Sequence, residues 1–172
     1  HAAAQPYAGR SALDAVELMN AGVNFMREHV KEDARIHYVI TSGGDQPNVV
    51  PPTAEVWYYI RADRVTDVIA AFDWARDIAE AAARMSRTEV EAVDIQSEIH
   101  EMVPVRSLAK LVQANLTRIG PPAWTPEELA FARQTQQNFQ DPNGTRHGDN
   151  PLALSNRIEP LAEQPVGGSA ST

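Results

Sequence analysis

The stretch Ala54-Glu55-Val56-Trp57-Tyr58-Tyr59-Ile60-Arg61 alternates strictly between two kinds of side chain. Successive residues of a strand point to opposite faces, so Ala54, Val56, Tyr58 and Ile60 share one face and Glu55, Trp57, Tyr59 and Arg61 the other. Upstream, Arg35 to Thr41 alternates in the same way. Ile36, Tyr38 and Ile40 lie on one side, His37 and Val39 on the other. Between the two runs stand Ser42-Gly43-Gly44-Asp45-Gln46-Pro47-Asn48 and Val49-Val50-Pro51-Pro52. These are turn formers and prolines, which do not sit in a central strand. Two alternating runs joined by a loop of about ten residues predict a long hairpin.

Working outward, both flanks of the hairpin read as helix. Ser11 with Asp14 three residues later resembles a capping box. Ala12, Val16, Met19, Val23, Met26 and Val30 then recur at helical spacing, predicting a helix that the charges around Asp33 end. Gly22 weakens that pattern. Downstream, about Arg64 to Met85 carries the clearest apolar stripe in the chain, and Val90 to Ile99 predicts a third strand. The order helix-strand-strand-helix-strand is one strand short of β-α-β-β-α-β, the ferredoxin-like split unit. Two amphipathic helices on one face of an antiparallel sheet bury both stripes. The fold class is therefore expected to be α+β, a ferredoxin-like domain over residues 1–103, with its first strand expected ahead of His1.

Beyond Pro104 the character changes. Leu108, Leu111, Val112, Leu116 and Ile119 predict a helix stopped by Gly120 and Pro121-Pro122. Thr125-Pro126-Glu127-Glu128 is a strong helix start, with a helix expected to about Asn138. Glu127 and Glu128 are explained there by the helix dipole, without any paired-carboxylate chemistry. From Gln140 onward the text is loop-like and His147 is expected to be exposed. Residues 104–172 thus form a second segment, helices followed by a loop-rich tail.

Composition narrows the function. The 172 residues include 15 basic and 23 acidic side chains, a net charge of -8, which repels phosphate backbones and argues against nucleic acid. Zero cysteine excludes a disulfide framework and a cysteine nucleophile. No stretch reaches the roughly 18 uninterrupted apolar residues of a membrane span, and no signal peptide is visible, so a cytoplasmic protein with no membrane partner is expected. The chain opens at His1 and closes on Gly-Gly-Ser-Ala-Ser-Thr, which reads as a piece of a longer protein.

Three features carry the chemistry. His1 precedes Ala2-Ala3-Ala4, a small-residue run that lets a substrate or another chain approach closely. The residues alone leave it open between an exposed arm and a site residue. Asn48, at the mouth of the hairpin, has an amide suited to a ligand carboxylate, though alone it reads as an ordinary turn residue. Arg61 closes the second strand beside Trp57 and Tyr59, where a guanidinium suits bidentate carboxylate binding or simple solvation. No H-E-x-x-H, phosphate-cradling glycine loop or G-x-S-x-G occurs.

Together these features form the pattern H-A-A-A-x-P-x-x-G-R-S-A-L-D-A, then G-G-x-x-P-N-V-V-P, then W-Y-Y-I-R, with Glu101-Met102-Val103-Pro104-Val105-Arg106-Ser107-Leu108-Ala109 further on. This resembles the metal-dependent aminoacylase/carboxypeptidase family, in its amidohydrolase branch, over most of the chain. The resemblance implies a catalytic domain with two divalent metal ions, zinc or manganese, interrupted by a ferredoxin-like lid that dimerises. Residues 1–103 would be the lid and 104–172 the start of the returning catalytic part. The implied reaction is hydrolysis of the amide bond of N-acyl or p-aminobenzoyl amino acids, such as aminobenzoyl-glutamate. By match of the motifs, His1 is implied to stabilise the oxyanion in the partner's active site, and Asn48 and Arg61 to contact a substrate carboxylate. Partners implied are a second copy, joined through the lid, or a paralogous subunit. Two departures stand out. Val50 replaces the more usual Ile, and the family's metal-binding motifs are missing, so the metal ligands are expected outside this segment, with no metal in the fragment and no activity from it alone. The rival reading is a non-catalytic ferredoxin-like module that binds a partner or small ligand.

Overall fold

A computed structural model of the chain describes residues 1–137, 157–163 and 170–171. The protein is α+β, and it divides into two compact units, His1–Val103 joined by residues from the far end of the chain, and Pro104–Val166.

The first unit is built on the expected hairpin. Strand β1 (Arg35–Ser42) pairs antiparallel with β2 (Glu55–Ala62), Arg35 opposite Arg61 at one end and Ser42 opposite Glu55 at the other, with a register shift between Ile40 and Ser42. Ile36 and Ile60 face inward and are buried. Over that face lie helices α1 (Ala12–Met26) and α2 (Val65–Ser86). Val23, Met26 and Val68 are fully buried there, each contributing about 1.5–3 kcal/mol by leaving water. Gly22 is where the two helices meet, since a Cβ there would lie 2.6 Å from Ile78 Cγ2. One polar group enters this interior: buried Asn20 accepts a hydrogen bond from the Tyr58 hydroxyl through Oδ1. Burial, followed by the neighbouring Tyr38, pushes the Tyr58 phenol well above its ordinary range.

The capping box at α1 is present. Ser11 Oγ accepts from the Asp14 amide at 3.1 Å and donates to Asp14 Oδ1 at 2.8 Å. The far end corrects the expectation. The α-helix stops at Met26, a 3-10 turn follows over Arg27–His29, and Val30 is already extended. Val30 packs on the core, so the chain must leave the helix axis early to feed β1. Asp33 instead ties β1's entry to β2's exit by accepting the Asp63 amide at 2.8 Å. That bond leads the interactions holding its carboxyl below the usual range.

The expected strand over Val90 to Ile99 does not form. Val93 and Ile95 are exposed, and only Ile99 makes a β-bridge, exchanging two hydrogen bonds with Ser171 at 2.7 and 2.8 Å. The reason is the neighbour. The ladder's third strand is β3 (Ala170–Ser171), wedged between β2 and Ile99 with Arg61 opposite Ser171 and Ala62 opposite Ala170. Among the described residues, Ile99 alone of this run finds a ladder partner, and an alternating pattern does not by itself supply one. Glu101 then folds back to accept the Val65 amide at 3.0 Å, satisfying an otherwise orphan donor at the start of α2.

The second unit, described by itself, has helices α3 (Arg106–Ile119) and α4 (Pro126–Gln137). Gly120, at φ +81°, stops α3. Arg106 and Gln113 hold residues 159–163 by donating to the carbonyls of Ala162 and Glu159. A reciprocal capping box starts α4: Thr125 Oγ1 accepts from the Glu128 amide at 3.2 Å, and Glu128 Oε2 accepts from the Thr125 amide at 2.8 Å. This accounts for Glu128 structurally. None of α3's residues is buried, and Leu108, Leu111, Val112, Leu116 and Ile119 form an exposed stripe. The loop expected from Gln140, and His147 in it, lie outside the described residues.

Candidate functional site

Two stretches distant in sequence zip together ahead of α1. The Ala2 amide donates to the Asn48 carbonyl at 2.8 Å, and the Ala12 amide to the Pro51 carbonyl at 2.9 Å. Between these two ties, Gly9 faces Val50, whose side chain would lie 3.1 Å from an added Cβ. On the hairpin side Gly44 adopts φ +104°, and a Cβ there would meet Pro51 at 2.8 Å. That left-handed conformation and that close contact together favour glycine. The spacing H-A-A-A-x-P-x-x-G and the run G-G-x-x-P-N-V-V-P are thus two sides of one contact, made tight by small residues.

The contact sets His1 against Asn48. A turn holds the start of the chain, with the Gln5 amide donating to the His1 carbonyl at 3.1 Å. Within it, the amides of Ala3 and Ala4 donate to Nδ1 of the His1 ring at 3.2 and 3.3 Å. The other ring nitrogen, Nε2, lies 3.3 Å from Asn48 Nδ2. Both side chains are exposed, so a ligand from solvent can reach both. The alanine amides were not legible as functional groups in the sequence. The signal available was the run of residues too small to shield them from the ring.

Arg61 does not join them. It stands next to last in β2, at the opposite end from the hairpin loop, its guanidinium 5.6 Å from the centroid of the Tyr59 ring, which in turn lies 5.4 Å from Trp57. Arg61 stands six positions beyond Glu55 along β2, about 20 Å at the usual rise. Arg35 stands directly across from it, donates to the Glu32 and Ala34 carbonyls and lies near the Asp33 carboxylate, so Arg61 shares this end of the sheet with exposed aromatic rings and charges of both signs. Among the described residues no group of three or more His, Asp or Glu is placed to hold a metal ion, so those residues do not fit the two-metal centre that the sequence resemblance implies. Nor, among those residues, is any helix long and apolar enough to cross a membrane.

No family model matches the chain. It is 50% identical over 137 residues to one subunit of the p-aminobenzoyl-glutamate hydrolase of Escherichia coli (strain K12), covering 79% of this chain and 28% of that protein. It is 33% identical over 123 residues to Xaa-Arg dipeptidase of Mus musculus and 32% identical over 120 residues to Xaa-Arg dipeptidase of Homo sapiens, covering 70% of this chain and 28% of the relative in each case. The chain therefore spans a little over a quarter of the length of these relatives. Two differently named hydrolases are thus similar to most of this chain, and the identity reaches half of the aligned positions with the first. Over the part it spans, the chain belongs to the metal-dependent aminoacylase/peptidase family.

Proposed function

We propose that the chain is the lid and substrate-closing portion of an amidohydrolase that cleaves the amide bond of an N-acyl or p-aminobenzoyl amino acid, aminobenzoyl-glutamate or a dipeptide being the substrates its relatives' names point to. The observation that carries this reading is the 3.3 Å approach of Asn48 Nδ2 to His1 Nε2, which brings a carboxamide and an imidazole together on an exposed surface. In this reading His1 donates to the negative charge that develops on the scissile carbonyl oxygen, an interaction worth roughly 3 kcal/mol of barrier in comparable sites. Asn48 and Arg61 contact the substrate, Arg61 at its carboxylate. The lid has the ferredoxin-like arrangement, and its missing first strand takes the place that Ala170–Ser171 holds between β2 and Ile99.

The separation of Arg61 from the His1–Asn48 pair supports a dimer. Within one copy they lie at opposite ends of the hairpin, so a substrate that meets all three draws them from two associated copies, or from this chain and a paralogous subunit. The metal ions of the family are held outside this segment in this reading, and the roles of His1, Asn48 and Arg61 do not pass through them.

The test is steady-state kinetics of the full-length protein on aminobenzoyl-glutamate and on Xaa-Arg dipeptides. His1→Ala is expected to lower kcat roughly 10²- to 10³-fold. Arg61→Ala is expected to raise KM for substrates with a free carboxylate while sparing kcat. Near-normal turnover by His1→Ala, or unchanged kinetics for Arg61→Ala, rejects the corresponding role.

A further inference from the structure

We propose that the exposed rings of Trp57 and Tyr59 hold the acyl half of the substrate, so that the outer face of β2 selects aryl-acyl over alkyl-acyl amino acids. The proposal rests on the reading of Arg61 as the carboxylate contact and goes beyond it by assigning the other half of the substrate.

The first ground is where the core stops. Trp57, Tyr58 and Tyr59 are consecutive in β2, and the pleat turns them to alternate faces. The interior takes Tyr58, which packs on the core and donates to Asn20. Trp57 and Tyr59 stay on the outer face, 46% and 42% exposed. Across the ladder from them stand Val39 and His37, also exposed. The core cluster draws on α1, α2 and the inner face, so among the described residues it accounts for neither outer ring. Yet the two rings are held together, their centroids 5.4 Å apart and their planes 39° from parallel. Aromatic rings attract one another at about 4.5–7 Å between centroids, so a flat ring laid on this face is within reach of both.

The second ground is the spacing to the cation. The Arg61 guanidinium lies 5.6 Å from the centre of the Tyr59 ring, on the same face of the strand. In an aryl-acyl amino acid, Cα, the amide nitrogen and the scissile carbonyl carbon separate the carboxylate from the ring centre, about 6 Å in an extended chain. A carboxylate paired with a guanidinium and a ring stacked on another each stand roughly 4 Å off their partner, so the two spacings match. A substrate carboxylate on Arg61 therefore lays its own ring against Tyr59 and Trp57, with the scissile carbonyl between the two contacts. An acetyl group, ending in one methyl, leaves the rings largely uncovered. Charge gives the face a direction as well. Glu55 closes its far end, accepting from Thr41 Oγ1 at 2.5 Å. Acid at one end and guanidinium at the other favour a carboxylate that points toward Arg61.

The test compares two substrates of the full-length protein that share a leaving amino acid, aminobenzoyl-glutamate and acetyl-glutamate. The readout is the ratio of their kcat/KM values, or of their inhibition constants if acetyl-glutamate is not turned over. Trp57→Leu and Tyr59→Leu keep apolar bulk on the strand and remove the ring. Each is expected to lower the preference for aminobenzoyl-glutamate roughly 5- to 10-fold, and Trp57→Phe and Tyr59→Phe to restore most of it. Arg61→Ala is expected to raise KM for both substrates alike. An unchanged ratio in both leucine variants overturns the proposal, as does equal loss on the two substrates, which would assign the rings to packing against the rest of the parent protein. If Arg61→Ala raises KM while the ratio stays fixed in the leucine variants, this proposal alone falls. If Arg61→Ala leaves KM unchanged, the carboxylate reading falls and takes this one with it.

Discussion

Replacing Gly22 with alanine probes the contact that seats α1, the helix directly after the His1 arm. Two opposing effects are involved. In a helix interior alanine is favoured over glycine by about 1 kcal/mol. Against this, the new Cβ would stand 2.6 Å from Ile78 Cγ2, while carbons in comfortable contact sit about 3.5–4.0 Å apart. Roughly 1 Å must be found. Ile78 is β-branched and within α2, so its χ1 is held in one rotamer and Cγ2 cannot swing aside. The helices must part, and overpacking of this kind costs about 1–3 kcal/mol. The net expectation is a destabilisation of up to about 2 kcal/mol. Ile78→Ala removes Cγ2, so in that background Gly22→Ala is expected to change sign and stabilise by about 1 kcal/mol. Urea unfolding of the four proteins, with m compared throughout, measures the coupling. A Gly22→Ala that stabilises equally in both backgrounds would refute the close approach of α1 to α2.

Two further outcomes follow from the interior and from the strand ends. Tyr58→Phe strips buried Asn20 of its hydrogen-bond donor and is expected to cost about 1–3 kcal/mol in chemical denaturation. In the parent chain the Tyr58 phenol is raised, so its contribution is complete below the unfolded tyrosine value of about 10 and is lost as pH rises further; one tyrosine is expected to lag in an ultraviolet pH titration. Asp33 is shifted the other way, chiefly by the Asp63 amide. Its contribution is present above the unfolded carboxylate value of about 3.9 and disappears as pH falls through the folded one. Asp33→Asn is therefore expected to flatten the acid limb of the stability curve, and an unchanged limb would remove Asp33 from that role.

Much of the fold was legible because its causes are local. The alternation of 54–61 and 35–41 sets the hairpin. The apolar stripes set both long helices of the first unit. Ser11 with Asp14, and Thr125 with Glu128, mark helix starts through bonds that reach three residues. The family likeness was also readable, since it lies in short motifs. Where the sequence misled, the deciding partner was distant. Val90 to Ile99 has a strand's pattern, but a ladder needs a neighbour, and among the described residues Ile99 alone of this run finds one, at Ser171. The run of apolar spacing past Met26 continues to Val30, yet the core draws Val30 out of the helix.

What the sequence by itself determined is the hairpin, the long helices and the identity of the three chemical groups, an imidazole, a carboxamide and a guanidinium, because side-chain chemistry and periodicity need no knowledge of neighbours. Only the tertiary structure decided which of them meet. His1 and Asn48, 47 residues apart, come together because small residues let the arm lie on the hairpin loop. Arg61, though nearer to Asn48 in sequence, is carried off because an extended strand moves about 3.3 Å with every residue.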